Sequence, residues 1–139
     1  NGAHHTVCHR DANYVDELKK IAPGGFDIII EMLAANLATD LDLLAKGGRV
    51  GIVGGSGEVK INCQVLISKE VSAYGVNVPG STVDELSAFS TLLSALFKDK
   101  SYRPICSRQY SLDEFPQAHK DIADPALATV GNWVVNIRK

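Results

Sequence analysis

Two short apolar runs separated by one helix length constrain this chain more than any other feature. Phe26-Asp27-Ile28-Ile29-Ile30-Glu31 and Arg49-Val50-Gly51-Ile52-Val53 are rich in β-branched residues, and the second empties into Gly54-Gly55-Ser56-Gly57. Continuous apolar runs suit parallel strands with both faces covered, and such strands need a crossover of a dozen or more residues between them. The intervening segment supplies one. Asn36 or Thr39 is placed to cap a helix whose apolar side is Leu37, Leu41, Leu43 and Leu44, and Lys46-Gly47-Gly48 reads as its glycine C-cap. The unit is βαβ, and ligands of open α/β sheets sit at the carboxyl ends of the strands. The residues just after Ile30 and Val53 are therefore the first candidate site.

The flanking segments continue the alternation. Asp11 is positioned to cap a helix over residues 13–21, in which Tyr14, Leu18 and Ile21 share a face and Lys19 and Lys20 close the last turn. Pro23-Gly24-Gly25 stops it. Residues 61–67 are apolar, and residues 71–78 alternate as a third strand. Ser81, with Glu85 nearby, opens a helix to about Lys98 whose expected buried stripe is Leu86, Phe89, Leu92, Leu93, Leu96 and Phe97. An edge strand over 104–110, a short helix over 112–122 and a last strand over 133–137 complete an α/β order.

Composition narrows the function classes. The length, 139 residues, suits one ordinary domain, and a net charge of −2 gives no electrostatic reason to expect nucleic acid as the main partner. No apolar run approaches the roughly 20 residues that span a bilayer, and no signal peptide opens the chain. Without an initiator Met, the start reads as the middle of a longer protein. Cys8, Cys63 and Cys106 are odd in number and lack metal-ligand spacing, which fits free thiols in a reducing, intracellular setting, each a small buried hydrophobe. The adjacent side chains of His4 and His5 diverge, so no metal site is expected. His119 reads as a surface residue, Trp133 as core or interface packing, and Glu31 as a carboxylate bonded to nearby backbone or to a helix N-terminus. Nothing has the spacing of a Ser-His-Asp or Cys-His arrangement.

A complete dinucleotide fold also needs a Gly-rich turn leading into a phosphate-facing helix. Here the glycine cluster leads into Glu58-Val59-Lys60-Ile61-Asn62, which has no amphipathic helical pattern. The cluster is better suited to a strand-end turn that lets part of a ligand approach the backbone.

Several strings carry a family resemblance: Asn1-Gly2-Ala3-His4, His9-Arg10, Asn13-Tyr14, Asp27-Ile28-Ile29-Ile30-Glu31-Met32-Leu33-Ala34, Gly47-Gly48-Arg49-Val50, Val53-Gly54, Lys69-Glu70 and Gly75-Val76. Over nearly its whole length the chain resembles the C-terminal part of the zeta-crystallin branch, the NADPH-dependent quinone oxidoreductases of the zinc-free medium-chain dehydrogenase/reductase family. The resemblance implies a partial Rossmann-like parallel sheet lacking its first βαβ unit. Residues 1–101 would be the C-terminal part of the nucleotide-binding domain, and residues 102–139 would return towards a GroES-like catalytic domain.

It also implies a cofactor site for NADPH. His9 matches a histidine near the adenosine-phosphate end, and Asn36, or Ala35 where this chain is one residue shorter, matches an asparagine past the first strand end. Val53, Gly54, Gly55 and Ser56 match the loop along the nicotinamide ribose, and Val76, Asn77 and Val78 the strand end beside the nicotinamide. Gly131-Asn132 stands where the family usually has Gly-Lys. The implied reaction is reduction of a quinone by a soluble, cytoplasmic homo-oligomer, dimer or tetramer. The rival reading is a non-catalytic module for oligomerisation or RNA binding, the latter disfavoured by the lack of a basic stripe. Without the upstream units one sheet edge would be bare, so the chain alone is expected to pair with a second copy or aggregate, and to bind cofactor weakly if at all.

Overall fold

The computed structural model describes residues 2–55, 57–124, 126–127 and 131–137. It divides into two compact units, Asn1–Ser81 and Thr82–Lys139. The first contains helix α1 (Tyr14–Ile21), strand β1 (Phe26–Glu31), helix α2 (Leu37–Leu43), strand β2 (Leu44–Ile52), helix α3 (Cys63–Lys69) and strand β3 (Ser72–Gly75). The strands form one parallel sheet in the order β1-β2-β3. Its core is Leu41, Leu44, Val50 and Val71, with Ile29, Leu37, Ile61, Val65 and Leu66 packed around them. Strand β1 occupies the expected residues, and the α/β class with a partial Rossmann-like sheet holds.

The structure corrects five local readings, four of them wholly within this unit. Asn13, not Asp11, precedes α1; Asp11 instead gives its carbonyl to the Tyr14 N–H at 3.1 Å in a preceding turn. Helix α2 stops at Leu43 and β2 begins at once, so Gly47-Gly48 is not a helix cap. The Lys69 ammonium caps that helix end instead, donating to the carbonyls of Asp42 (2.6 Å) and Leu44 (3.0 Å). The glycines belong to a bulge in β2: Phe26 pairs with Leu44 but Ile28 with Arg49, and Gly47 takes φ +75° in the excess chain. Strand β3 ends at Gly75 rather than at 78, because residues 78–80 form a 3₁₀ turn around Pro79. The continuous run of β1 does not have two covered faces. Ile29 joins the core beside α2, whereas Ile28 and Ile30 on the other face are 54% and 59% exposed. The three cysteines are exposed, not buried.

The second unit holds α4 (Val83–Lys98), β4 (Cys106–Ser111), a 3₁₀ turn at Leu112–Glu114, α5 (Phe115–Ala123) and β5 (Asn132–Asn136). Strands β4 and β5 pair in parallel with each other. Arg108 links them: its guanidinium bonds Asp121 at 2.9 Å and lies 4.8 Å over the half-buried Trp133 ring, while the Tyr110 hydroxyl donates to the same carboxylate at 2.9 Å. His119 is exposed, edge-on to Phe115.

Helix α4 reaches Lys98 as expected, but its cap is Thr82 rather than Ser81. Thr82 and Glu85 form a reciprocal capping box, with Glu85 N–H to Thr82 Oγ1 at 3.3 Å and Thr82 N–H to Glu85 Oε2 at 2.7 Å. Those bonds hold the Glu85 carboxyl below its usual range. Thr82→Ala is expected to lower stability by about 1 kcal/mol, measured by urea unfolding. The expected buried stripe is not buried: Leu86, Phe89, Leu92 and Phe97 are exposed, and Leu93 and Leu96 only half-buried. Periodicity placed them on one side of the helix, but no described element of this unit buries that side.

Candidate functional site

Three parallel strands end level with one another. Glu31 pairs with Ile52 and Ile52 with Gly75, and the chain extends the ladder one step further through Val53 N–H to Glu31 O (2.9 Å) and Val76 N–H to Ile52 O (2.8 Å). At this carboxyl end lies an open groove of about 370 Å³ lined by Ala34, Ile52, Val53, Gly54, Gly55, Gly57, Gly75, Val76 and Asn77. That volume is at the lower end of small-ligand sites. Much of the lining is bare backbone, because three of its four glycines would find space or only backbone where a side chain would stand.

The groove brings together Val53, Gly54, Gly55, Val76 and Asn77 of the residues implied by the family resemblance. It does not bring in His9, which sits exposed in the turn closed by Asp11 N–H to Cys8 O, nor Asn36, exposed at the N-cap of α2. Val78 begins the 3₁₀ turn and points to solvent at its own end of the loop, and Ser56 lies outside the described residues. Ala34, Ile52 and Gly75 line the groove without having been read as site residues from the sequence, and Gly57 joins them from the glycine cluster already read as a ligand-approach turn. Adjacency to the strand ends was the available signal for each.

The floor under the glycines explains their identity. A Cβ on Gly54 would lie 2.7 Å from the Met32 carbonyl oxygen, and one on Gly55 would lie 2.6 Å from that of Leu33 and 2.5 Å from Ala34 Cβ. The loop after β2 thus rests directly on the turn after β1. Glu31 shapes that turn: its Oε1 accepts the Leu33 N–H at 2.6 Å, the backbone bond expected for it. Ala34 completes the turn at φ +59°, rare for a residue with a Cβ.

Nothing in the residue pattern marks the carboxyl facing Glu31. Asp40, in the middle of α2, is 9% exposed and Glu31 7%. Burial pushes the Asp40 carboxyl up to about 7, with the hydrogen bond to and charge of Glu31 adding to the rise. For Glu31 burial acts in the same direction, but the bonds from Leu33, Asp40, Asn36 and Ala34 outweigh it and hold it low. Among the described residues no three His, Cys, Asp or Glu side chains come together as metal ligands, and no helix is long and apolar enough to cross a membrane.

Relatives agree with this architecture. Residues 1–97 match the zinc-binding dehydrogenase family. Human quinone oxidoreductase is 41% identical over 131 residues, covering 93% of this chain and 40% of its own length. The rat quinone oxidoreductase is 43% identical over 124 residues, with 88% and 38% covered. The chain therefore spans about two fifths of these relatives. In structure it is similar to CurA of Vibrio vulnificus, solved in complex with NADPH, at TM-score 0.74 and 17% identity over 99% of this chain and 44% of that one, a likeness of fold. The chain belongs to the zinc-binding dehydrogenase family.

Proposed function

We propose that this chain supplies the nicotinamide-side half of the cofactor site of an NADPH-dependent, zinc-free quinone oxidoreductase of the zeta-crystallin branch. The observation that carries the reading is the open groove at three level strand ends, with Val53, Gly54, Gly55, Val76 and Asn77 on its surface. The residues fit that end of a dinucleotide. Bare glycine backbone allows close approach of a ribose, Val53 and Val76 offer apolar contact to a flat ring, and the Asn77 amide can both donate and accept. They do not fit the pyrophosphate: the next helix, α3, starts only at Cys63 and is seven residues long. When bound, the cofactor supplies the reducing equivalents, and these residues hold and orient it.

In this reading residues 1–101 derive from a nucleotide-binding domain and 102–139 from a segment returning to a catalytic domain, the assembly is a cytoplasmic homo-oligomer, and His9, Asn36, Ser56 and Val78 contact the cofactor only in the full-length protein. The test is NADPH titration of the 139-residue chain, read at its backbone amides, beside NADPH binding and quinone reduction by a full-length protein containing it. Weak shifts confined to residues 53–57 and 75–77, with binding and turnover by the full-length protein, are expected. No NADPH binding and no quinone reduction by the full-length protein would overturn the reading.

A non-catalytic oligomerisation module is the second reading, favoured by the exposed Ile28 and Ile30 beside the unpaired edge of β1. RNA is disfavoured by the net charge of −2. Salt-sensitive retention of RNA by the chain would reverse that judgement.

A further inference from the structure

We propose that Asp40 is a positioning residue for the groove: its carboxyl carries a proton shared with Glu31, and that shared proton fixes the 32–34 turn on which Gly54 and Gly55 rest.

The first support is the hydrogen-bond inventory. Asp40 Oδ2 is buried and has no donor facing it. An ionised carboxylate only accepts, so an ionised Asp40 would leave that oxygen empty and set two buried negative charges against each other. A protonated Asp40 becomes a donor, and the Glu31 carboxylate is the acceptor beside it. One proton therefore satisfies both groups, and Glu31 remains the charged member.

The second support is what Glu31 then does. Its charged carboxylate gathers the Leu33 N–H at 2.6 Å, with the Asn36 amide and the Ala34 N–H close enough to help hold it charged. These contacts run from the last residue of β1 across the turn to the cap of α2. They hold Ala34 at its positive φ, a conformation that persists only where its surroundings determine it. The carbonyls of Met32 and Leu33 are thereby presented to the two glycines.

Other charges do not take part. On the elements packed against α2, the ammonium of Lys69 in α3 is bonded to the Asp42 and Leu44 carbonyls, and Lys46 in β2 lies 3.7 Å from Glu70. On α1, Glu17 accepts from Asn13. Asp16, Lys19 and Lys20 of α1 and Arg49 of β2 are exposed, and Glu31 is the one charged group among the described residues that acts on Asp40.

The consequence for ligand binding rests on the cofactor reading above, whereas the turn itself can be followed without any ligand. The experiment is NMR on the full 139-residue chain between pH 5 and 9, comparing wild type, Asp40→Asn and Glu31→Gln. The readouts are the Leu33 amide shift and its hydrogen-exchange protection. In the wild type the protection is expected to fall about tenfold as pH rises through about 7, where Asp40 loses the shared proton. Asp40→Asn donates at every pH and should keep the protection while losing the transition. Glu31→Gln keeps an amide oxygen for the Leu33 N–H but carries no charge to share a proton with Asp40, so it too should lose the transition near pH 7. A Leu33 amide indifferent to pH, or the same transition surviving in Asp40→Asn, would overturn the proposal. If the transition behaves as expected but NADPH fails to bind even the full-length protein, the cofactor reading falls and the role of Asp40 stands.

Discussion

Gly55→Ala is expected to cost about 3 kcal/mol and to abolish any ligand response at Val53 and Val76. Two penalties combine at this position. The residue has φ +143°, where a side chain is strained, and the new Cβ would meet the Leu33 carbonyl oxygen at 2.6 Å and Ala34 Cβ at 2.5 Å. Strain at such a backbone position costs about 1–3 kcal/mol, and forcing a methyl into occupied space about 1–3 kcal/mol more. Neither neighbour is the flexible end of a long side chain, so relief requires one of the two loops to move. Gly57→Ala is the control. It has φ +86° but open space around the added methyl, so only the strain component applies, about 1 kcal/mol. Urea unfolding of both variants separates the two contributions. Equal losses would show that the loops do not press on one another.

How far the sequence could lead is clearest where one local pattern serves two structures. Phe26–Glu31 was readable end to end, since a β-branched run opened by a Pro-Gly-Gly stop and closed by a charged residue at its strand end is short enough to admit one element. Lys46-Gly47-Gly48 was not, because a glycine after a lysine suits both a helix C-cap and a bulge. The choice is made by Phe26 pairing with Leu44, a long-range fact. The strand-end rule pointed to the end of the sheet where the groove lies, with Val53 and Gly54 reachable from the run itself. The Glu31–Asp40 pair was beyond such reasoning. Asp40 sits within a helix read through its leucines, and only the turn geometry between β1 and α2 brings it to Glu31.

Helix faces show the same division most sharply, and Leu41→Ala against Phe89→Ala measures it. Both positions belong to apolar stripes of comparable strength in the sequence. Leu41 is 1% exposed in a core whose fully buried side chains are Leu41, Leu44 and Val50. Truncating it removes contacts that nothing else can replace, at a cost of about 3–4 kcal/mol. Against the 5–15 kcal/mol typical of a whole domain, that loss should leave the first unit partly unfolded at 37 °C. Phe89, on α4, is 59% exposed, and its truncation should change stability by no more than about 0.5 kcal/mol. Hydrogen exchange at Val50 and in α4 reads the two units separately. A large loss at Phe89 would mean that the apolar face of α4 is covered in solution. Dilution then identifies the cover: a loss that vanishes at low protein concentration belongs to contact between copies, and a loss that persists belongs to packing within one chain.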